Sequence, residues 1–160
     1  MLHKLQVLIL ILLVPLGGIY LYAKNQNIPL REIFSPGIPL AHVGDVPITV
    51  EIAATEEARI KGLSGRTELT TSGMLFVFDT SDYHGIWMKN MKFPIDIIWI
   101  DESLTVVKVD KGVRPDSYPK TFRPPVPVRY IIETKEHYTD TFIIVAGDNV
   151  RLPLEIDVKK

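Results

Sequence analysis

The chain has 160 residues, of which 46% are hydrophobic and 9% aromatic, so it is long enough for one domain with a sizeable core. Its formal net charge of −1 provides no general basic field, which argues against a nucleic-acid partner. Because the chain contains no cysteine, disulfides, thiol catalysis and cysteine-ligated metal or iron–sulfur sites are excluded.

An uncharged apolar run at residues 5–23 follows Lys4. A helix needs about 20 apolar residues to cross a bilayer, and the cationic flank predicts that the N-terminus stays in the cytoplasm. We therefore predict a signal anchor, a single transmembrane helix over residues 1–24, that places the rest of the chain in the periplasm or outside the cell. The alternative is a signal peptide cleaved near Ala23, which would make the protein secreted, although Leu21 fits the small-residue cleavage pattern poorly.

The proline-rich residues 25–41 are predicted to form a linker, and residues 42–160 a β domain. Apolar and polar residues alternate over residues 46–55, which predicts a half-buried strand. Thr55 is then a plausible N-cap of a short helix that Gly62 stops. The buried side of this helix is predicted to be supplied by Ala58, Ile60 and Leu63.

Further apolar runs, separated by turn residues, predict an antiparallel meander. The predicted strands are 74–78, 86–90, 95–100, 104–113, 128–134 and 150–154, with turns at 79–82 and 101–103. The segment 114–127 contains five prolines and is predicted to be a long loop, either a lid over a site or a strap that packs Tyr118 and Phe122 over a barrel mouth.

Five segments resemble, in order and spacing, the DUF192 family, also called UPF0127. They are GLSGR at 62–66, GMLFVF at 73–78, WMKNMKFPIDIIWID at 87–101, PVRYIIE at 127–133 and AGDNV at 146–150. Ser64, Met91 and Ile95 depart from the family's usual residues without changing a charge. The resemblance implies a mainly β fold with short helices (α+β), a compact antiparallel β-barrel-like domain that often follows a signal peptide or membrane anchor. The resemblance therefore implies a fold and not a particular reaction, and it assigns no catalytic residues to this chain.

The stretch 86–101 has an unusual mixture of aromatic, apolar and charged side chains. A carboxylate among isoleucines, such as Asp96, must be hydrogen-bonded, ion-paired or used in function, because burying it without partners costs several kcal/mol. In a regular strand Lys89 shares a face with Trp87, where it could bind an anionic group. The candidate binding residues are Trp87, Lys89, Asn90, Asp96 and Arg129, the last as a possible partner of Asp96.

Each candidate has a structural alternative. Asp96 could cap the loop at 91–94 through backbone N–H groups, Trp87 could be a core residue, and Lys89 could be a solvated side chain. His84 lies near two aspartates, but no metal-ligand spacing is matched, so we predict neither a metal nor a cofactor.

No nucleophile elbow, phosphate loop, dinucleotide-binding glycine pattern or HExxH motif is present in the sequence. We therefore expect a membrane-anchored, extracytoplasmic domain that binds a small molecule, an envelope component or another protein. One alternative is an enzyme of unknown type with Asp96 as general acid or base and Lys89 as an anion holder. The other is a structural or assembly protein without a ligand.

Overall fold

The computed structural model describes residues 39–157, within which nine strands and three short α-helices follow one another. The strands are β1 (Leu40–Val43), β2 (Val46–Ala53), β3 (Gly73–Asp82), β4 (Ile86–Trp87), β5 (Ile95–Ile100), β6 (Val106–Val113), β7 (Thr121–Phe122), β8 (Val128–Lys135) and β9 (Val150–Arg151). The helices are α1 (Glu56–Lys61), α2 (Tyr138–Thr141) and α3 (Leu154–Asp157), and a 3-10 turn spans Pro115–Ser117.

The predicted transmembrane segment at residues 1–24 lies outside the described residues, as does the predicted linker up to residue 38. β1 begins at Leu40, just before the predicted end of that linker. Among residues 39–157, the helices are all too short or too polar to cross a membrane.

Seven strands form one sheet in the order β6-β5-β8-β3-β2-β1-β9, and β4 pairs with β7 in a separate ribbon. β2 and β3 are parallel, and α1 lies in the long crossover connection that a parallel pair requires. The two edges of the large sheet meet where Thr105 bridges Asn149, and the Val150 amide donates to the Leu104 carbonyl at 2.7 Å. The sheet is therefore a curled half-barrel, and the prediction of a mainly β fold with short helices is confirmed.

Apolar side chains cover both faces of this sheet. The side chains of successive β5 residues point to opposite faces of the sheet. Ile97 and Trp99 belong to one buried cluster, and Ile98 and Ile100 belong to the other. The cluster of Ile98 and Ile100 collects side chains from β1, β2, β6 and β9, so it fills the inside of the curl, and we call this the inner face. The opposite, outer face is covered by α1 and the residues after it, and by the β4–β7 ribbon and the segment that follows β4.

The strand order differs from the predicted meander, since β8 lies between β3 and β5 and the β2–β3 pair is parallel. The predicted turn at 79–82 is instead the end of β3, with irregular pairing to β8 between Val77 and Asp82. The predicted strand at 86–90 stops at Trp87, because Asn90 has a φ of 59° and the Met91 amide bonds to the Met88 carbonyl. The predicted loop at 114–127 contains the 3-10 turn and β7, which pairs with β4 as a strap.

α1 begins and ends as predicted, with Thr55 Oγ1 accepting a hydrogen bond from the Ala58 amide at 3.2 Å and Gly62 at its end with a positive φ of 44°. Leu63 is buried, but the prediction for Ile60 is wrong, because its side chain is 68% exposed. Residues two positions apart on a helix point about 200° away from each other. When Ala58 faces the sheet, Ile60 must therefore face solvent.

Candidate functional site

Strand β8 places one carboxyl group, that of Glu133, among apolar side chains of the outer face. Glu133 stands opposite Met74 of β3 and Ile97 of β5, and residues opposite each other share a face. It is 4% exposed, and burial raises the pKa of its carboxyl from 4.5 to about 8. At neutral pH the carboxyl is therefore protonated by about ten to one.

Glu133 is the middle member of three carboxylates in one row across the sheet. Glu51 of β2 stands opposite Met74, and Asp110 of β6 stands opposite Ile97. Neighbouring strands are about 4.8 Å apart, so each outer carboxylate is about 10 Å from Glu133 along the row.

The two outer carboxylates have cationic partners. Arg66 donates two hydrogen bonds to Glu51, at 2.6 and 2.9 Å, and these lower the pKa of Glu51. Asp110 accepts a hydrogen bond from Trp99 Nε1 at 2.8 Å and forms an ion pair with Lys108 at 2.9 Å. The central carboxyl differs from both, because within residues 39–157 burial alone accounts for its raised pKa, with no hydrogen bond or charge acting on it.

Glu133 lines a cleft of about 60 Å³ between the outer face and its covering segments. The sheet contributes Glu133 and Phe76, while Leu63, Ile86 and Met91 of the covering segments form apolar walls. A space of this size holds a few water molecules or one small polar group. A buried acid beside a cleft whose lining combines apolar and polar groups is a candidate for a binding or catalytic site.

An aromatic ring and two cations border the cleft. Trp87 is 51% exposed, and Lys89 Nζ lies 5.8 Å from the centre of its ring, within the range of a cation–π interaction. On the α1 side, the Arg59 guanidinium donates to two backbone carbonyls at 2.7 Å, which fixes its position. Lys61 also lines the cleft, and no carboxylate among the described residues pairs with it. The cleft is therefore bordered by the positively charged side chains of Arg59 and Lys61, and its one acid, Glu133, is neutral.

The turn after α1 holds the Trp87–Asn90 stretch in place. Ser64 Oγ donates to the Lys89 carbonyl and the Gly65 amide donates to the Asn90 carbonyl, both at 2.9 Å. These bonds join the two covering segments on either side of the cleft. Asn90 therefore contributes its backbone to this connection, in a left-handed conformation.

Asp96, the central candidate from the sequence, points to the inner face and is fully buried. Its Oδ1 accepts from the Gly112 amide at 2.8 Å, and its Oδ2 accepts from the Thr139 amide at 3.0 Å and from Thr139 Oγ1 at 2.7 Å. The bonds run to β6 and α2 rather than to the loop at 91–94. These contacts support a structural role for Asp96, which joins three elements of the inner face.

Of the predicted binding residues, Trp87 lines the cleft, while Lys89 contacts the site only through the Trp87 ring, from whose centre its Nζ lies 5.8 Å. Arg129 of β8 is instead paired with Glu102 at 2.8 Å, beyond the end of β5. Sequence reasoning did not select Glu133, although a signal was present: a single carboxylate follows the apolar residues 130–132. The cost of burying an unpartnered carboxylate, which singled out Asp96, applies equally to Glu133.

Within residues 39–157, no three or more His, Asp or Glu side chains are grouped so that they could hold a metal ion. The His84 ring stacks on Phe78 with ring centres 3.6 Å apart, and its Nε2 lies 3.0 Å from the Thr80 carbonyl oxygen.

Two solved structures have a similar fold. One is described as a proposed transcription regulator from Sinorhizobium meliloti 1021; it is 24% identical, and the match, with a TM-score of 0.66, covers 72% of this chain and 92% of that chain. The other, a protein of unknown function from Novosphingobium aromaticivorans DSM 12444, is 26% identical with a TM-score of 0.66 over 71% of this chain and 84% of that chain. No curated protein matches the chain. The model of the DUF192 family, described as an uncharacterized ACR, matches residues 40–152, and the chain therefore belongs to this family.

Proposed function

We propose that this domain binds a small molecule in the cleft, with Glu133 as the central polar group of the site. The observation that carries this proposal is the Glu133 carboxyl itself, which is buried, borders the cleft and accepts or donates no hydrogen bond within the described residues. No side-chain oxygen of the described residues is both fully buried and without a hydrogen-bond partner, so the Glu133 oxygens open onto the cleft. A ligand in the cleft could therefore reach the carboxyl and form a hydrogen bond with it.

The surroundings suit a ligand with one polar end and an apolar flank. The walls formed by Phe76, Ile86 and Met91 offer apolar contacts, and Trp87 offers a half-exposed ring at the opening. Small-molecule sites typically combine an apolar lining with a few convergent polar groups.

Catalysis is the second candidate function, and the protonation state of Glu133 is the observation that favours it. A carboxyl with a pKa of about 8 is protonated at neutral pH and still able to release its proton, as a general acid requires. In this function Glu133 takes the role that the sequence suggested for Asp96, whose oxygens are all engaged in hydrogen bonds. Chemical change of a bound compound, abolished by Glu133→Gln, would distinguish an enzyme from a binding protein.

The proposal extends to location: residues 1–24 would anchor the domain to the cell membrane and place the cleft outside the cytoplasm. The support is the uncharged run at residues 5–23 behind Lys4. The test is fractionation of cells together with protease accessibility of residues 42–160. Recovery in the membrane fraction with external cleavage is expected, whereas a shortened protein in the soluble external fraction would indicate a cleaved signal peptide.

Binding can be tested on the full chain in detergent, because its only two tryptophans report on different places. Trp87 borders the cleft, while the indole N–H of the buried Trp99 is bound to Asp110. We expect a ligand from a screen of small polar compounds to shift the Trp87 indole N–H signal in NMR spectra, with little change at Trp99. Glu133→Gln should alter that response, and Glu57→Gln, the same change at an exposed site on α1, should leave it intact. Equal shifts at both indoles, or none with any compound, would count against the cleft as a binding site.

A further inference from the structure

The charged residues around the cleft limit the kind of ligand that could bind beside the Glu133 carboxyl. Arg59 and Lys61 line the cleft from α1, and Lys89 Nζ lies 5.8 Å from the centre of the Trp87 ring. The Arg59 guanidinium also lies 3.8 Å from the exposed carboxylate of Asp79. Among the described residues that line the cleft, Glu133 is the single acid, and burial favours its neutral form. The site is therefore positive at its border and neutral inside.

We propose that the ligand is a small organic carboxylate, one oxygen of which accepts a hydrogen bond from the protonated Glu133 carboxyl while Lys61 balances its negative charge. This inference rests on the proposed function and specifies the ligand class for the same cleft. The proton remains on Glu133 or is shared between the two carboxyl groups, and no covalent bond changes.

A carboxylate fits these surroundings better than an ammonium group does. An ammonium ligand would lie in a cleft that Arg59 and Lys61 line and would need an ionised Glu133, which burial opposes. A protonated carboxyl in an apolar site is, by contrast, a strong donor to an oxygen that carries negative charge. The small volume admits the carboxylate group, and the apolar walls accommodate a short carbon chain.

The pH dependence of binding follows from the groups that face Glu133. From α1 these are Arg59 and Lys61, while β3, β4 and β5 present the uncharged residues Met74, Phe76, Ile86, Trp87, Ile95 and Ile97. The row's other carboxylates, Glu51 and Asp110, are held in ion pairs. Glu133 is thus the group in this row whose charge changes near pH 8. Carboxylate binding should weaken ten-fold per pH unit above that value, because the bound form needs the proton.

Three probes of nearly the same shape test the proposal: propionate, propionamide and propylammonium, which differ in charge. Each is titrated into the full chain in detergent from about pH 6 to about pH 10, with the Trp87 indole N–H as reporter and Trp99 as internal reference. We expect propionate to bind below about pH 8 and to be lost above it. Propionamide should bind with little pH dependence, and propylammonium should not bind below about pH 8.

Two variants sharpen this test. Glu133→Gln keeps a donor but cannot ionise, so propionate binding should persist and lose its decline at high pH. Lys61→Gln should weaken propionate several-fold and leave propionamide unchanged, while Lys111→Gln, the same charge change at a residue paired with Asp140 on another part of the surface, should have no effect.

The outcomes separate the ligand class from the binding function. Tighter binding of propylammonium than of propionate, increasing with pH, would overturn the carboxylate proposal and keep the cleft as a binding site. No response to any of the three at tens of millimolar would also overturn the ligand class. The proposed function fails only when the wider compound screen leaves the Trp87 signal unmoved as well.

Discussion

Asp96 and Glu133 lie on the neighbouring strands β5 and β8, but their side chains point to opposite faces of the sheet. Asp96 stands opposite Thr134 on the inner face, and Glu133 stands opposite Ile97 on the outer face. Both are buried, yet Asp96 accepts three hydrogen bonds and Glu133 none among the described residues. One carboxyl is therefore used to hold the fold together, and the other is left available in a cleft.

Glu133→Gln should abolish a loss of stability that the wild type undergoes as the pH rises. Because folding raises the pKa of Glu133 from 4.5 to about 8, the folded state binds the proton more tightly than the unfolded state does. The resulting stabilisation is complete below about pH 4.5 and is lost as the pH rises to about 8. Each ten-fold change in proton affinity is worth about 1.4 kcal/mol, so the total loss is on the order of several kcal/mol.

The measurement is denaturant unfolding of the full chain in detergent, wild type beside Glu133→Gln, over this pH range. The stability of the wild type relative to Glu133→Gln should be highest in acid and should fall as the pH rises to about 8. Glu57→Gln, at the start of α1, controls for general effects of removing a surface carboxylate. A constant difference between wild type and Glu133→Gln at every pH would show that burial does not perturb Glu133.

Asp96→Asn should destabilise the protein without impairing the cleft. An amide has one acceptor oxygen and an NH₂ group, which would face the donors of Gly112 or Thr139. We expect a loss of about 1–3 kcal/mol in the free energy of unfolding. Asp116→Asn, at an exposed aspartate of the 3-10 turn, should change stability by less than about 0.5 kcal/mol. Unchanged stability of Asp96→Asn would refute the structural role and return Asp96 to the list of functional candidates.

Gly73→Ala should be costly because β3 and β8 approach closely beside Glu133. A Cβ atom at Gly73 would lie 2.6 Å from the backbone carbonyl oxygen of Glu133, so the two strands would have to separate. Overpacking of this kind costs about 1–3 kcal/mol, and the displaced β8 should also weaken ligand binding. Gly44→Ala is the control: its Cβ meets no atom within 4 Å, so only the left-handed φ of 57° opposes it, at a cost of about 1 kcal/mol. Normal binding by the Gly73 variant would argue that the cleft does not depend on this strand contact.

Trp87→Ala should separate binding from stability. Since the ring is half exposed, removing it should cost about 1 kcal/mol of folding free energy. Stabilisation of the protein by propionate, measured as the shift in thermal midpoint, should be abolished because the ring borders the cleft. Tyr118→Ala removes a similarly exposed ring outside the cleft and should retain the shift. Retention of the shift by both variants would place the ligand elsewhere.

Local patterns predicted the elements better than they predicted the arrangement of the site. Alternation along β2, the cap at Thr55 and the predominantly apolar sequence of β5 determine structure over a few residues, and each was predicted correctly. The position of β8 between β3 and β5 depends on pairings between residues far apart in sequence, which no local period encodes. Without that pairing, the sequence did not indicate that Glu133 is surrounded by apolar residues. The functional hypothesis was therefore placed on Asp96, which lies in the most distinctive motif.

The most direct test of this account is the titration of the Glu133 carboxyl itself. Carbon-13 labelling of glutamate carboxyl groups in the full chain, with Glu133→Gln to assign the signal, gives its pKa by NMR. We expect a signal that titrates near pH 8, separated from the exposed glutamates. A Glu133 signal that titrates near the ordinary value of 4.5 would mean that the carboxyl is solvated or paired, and the cleft would lose its central polar group.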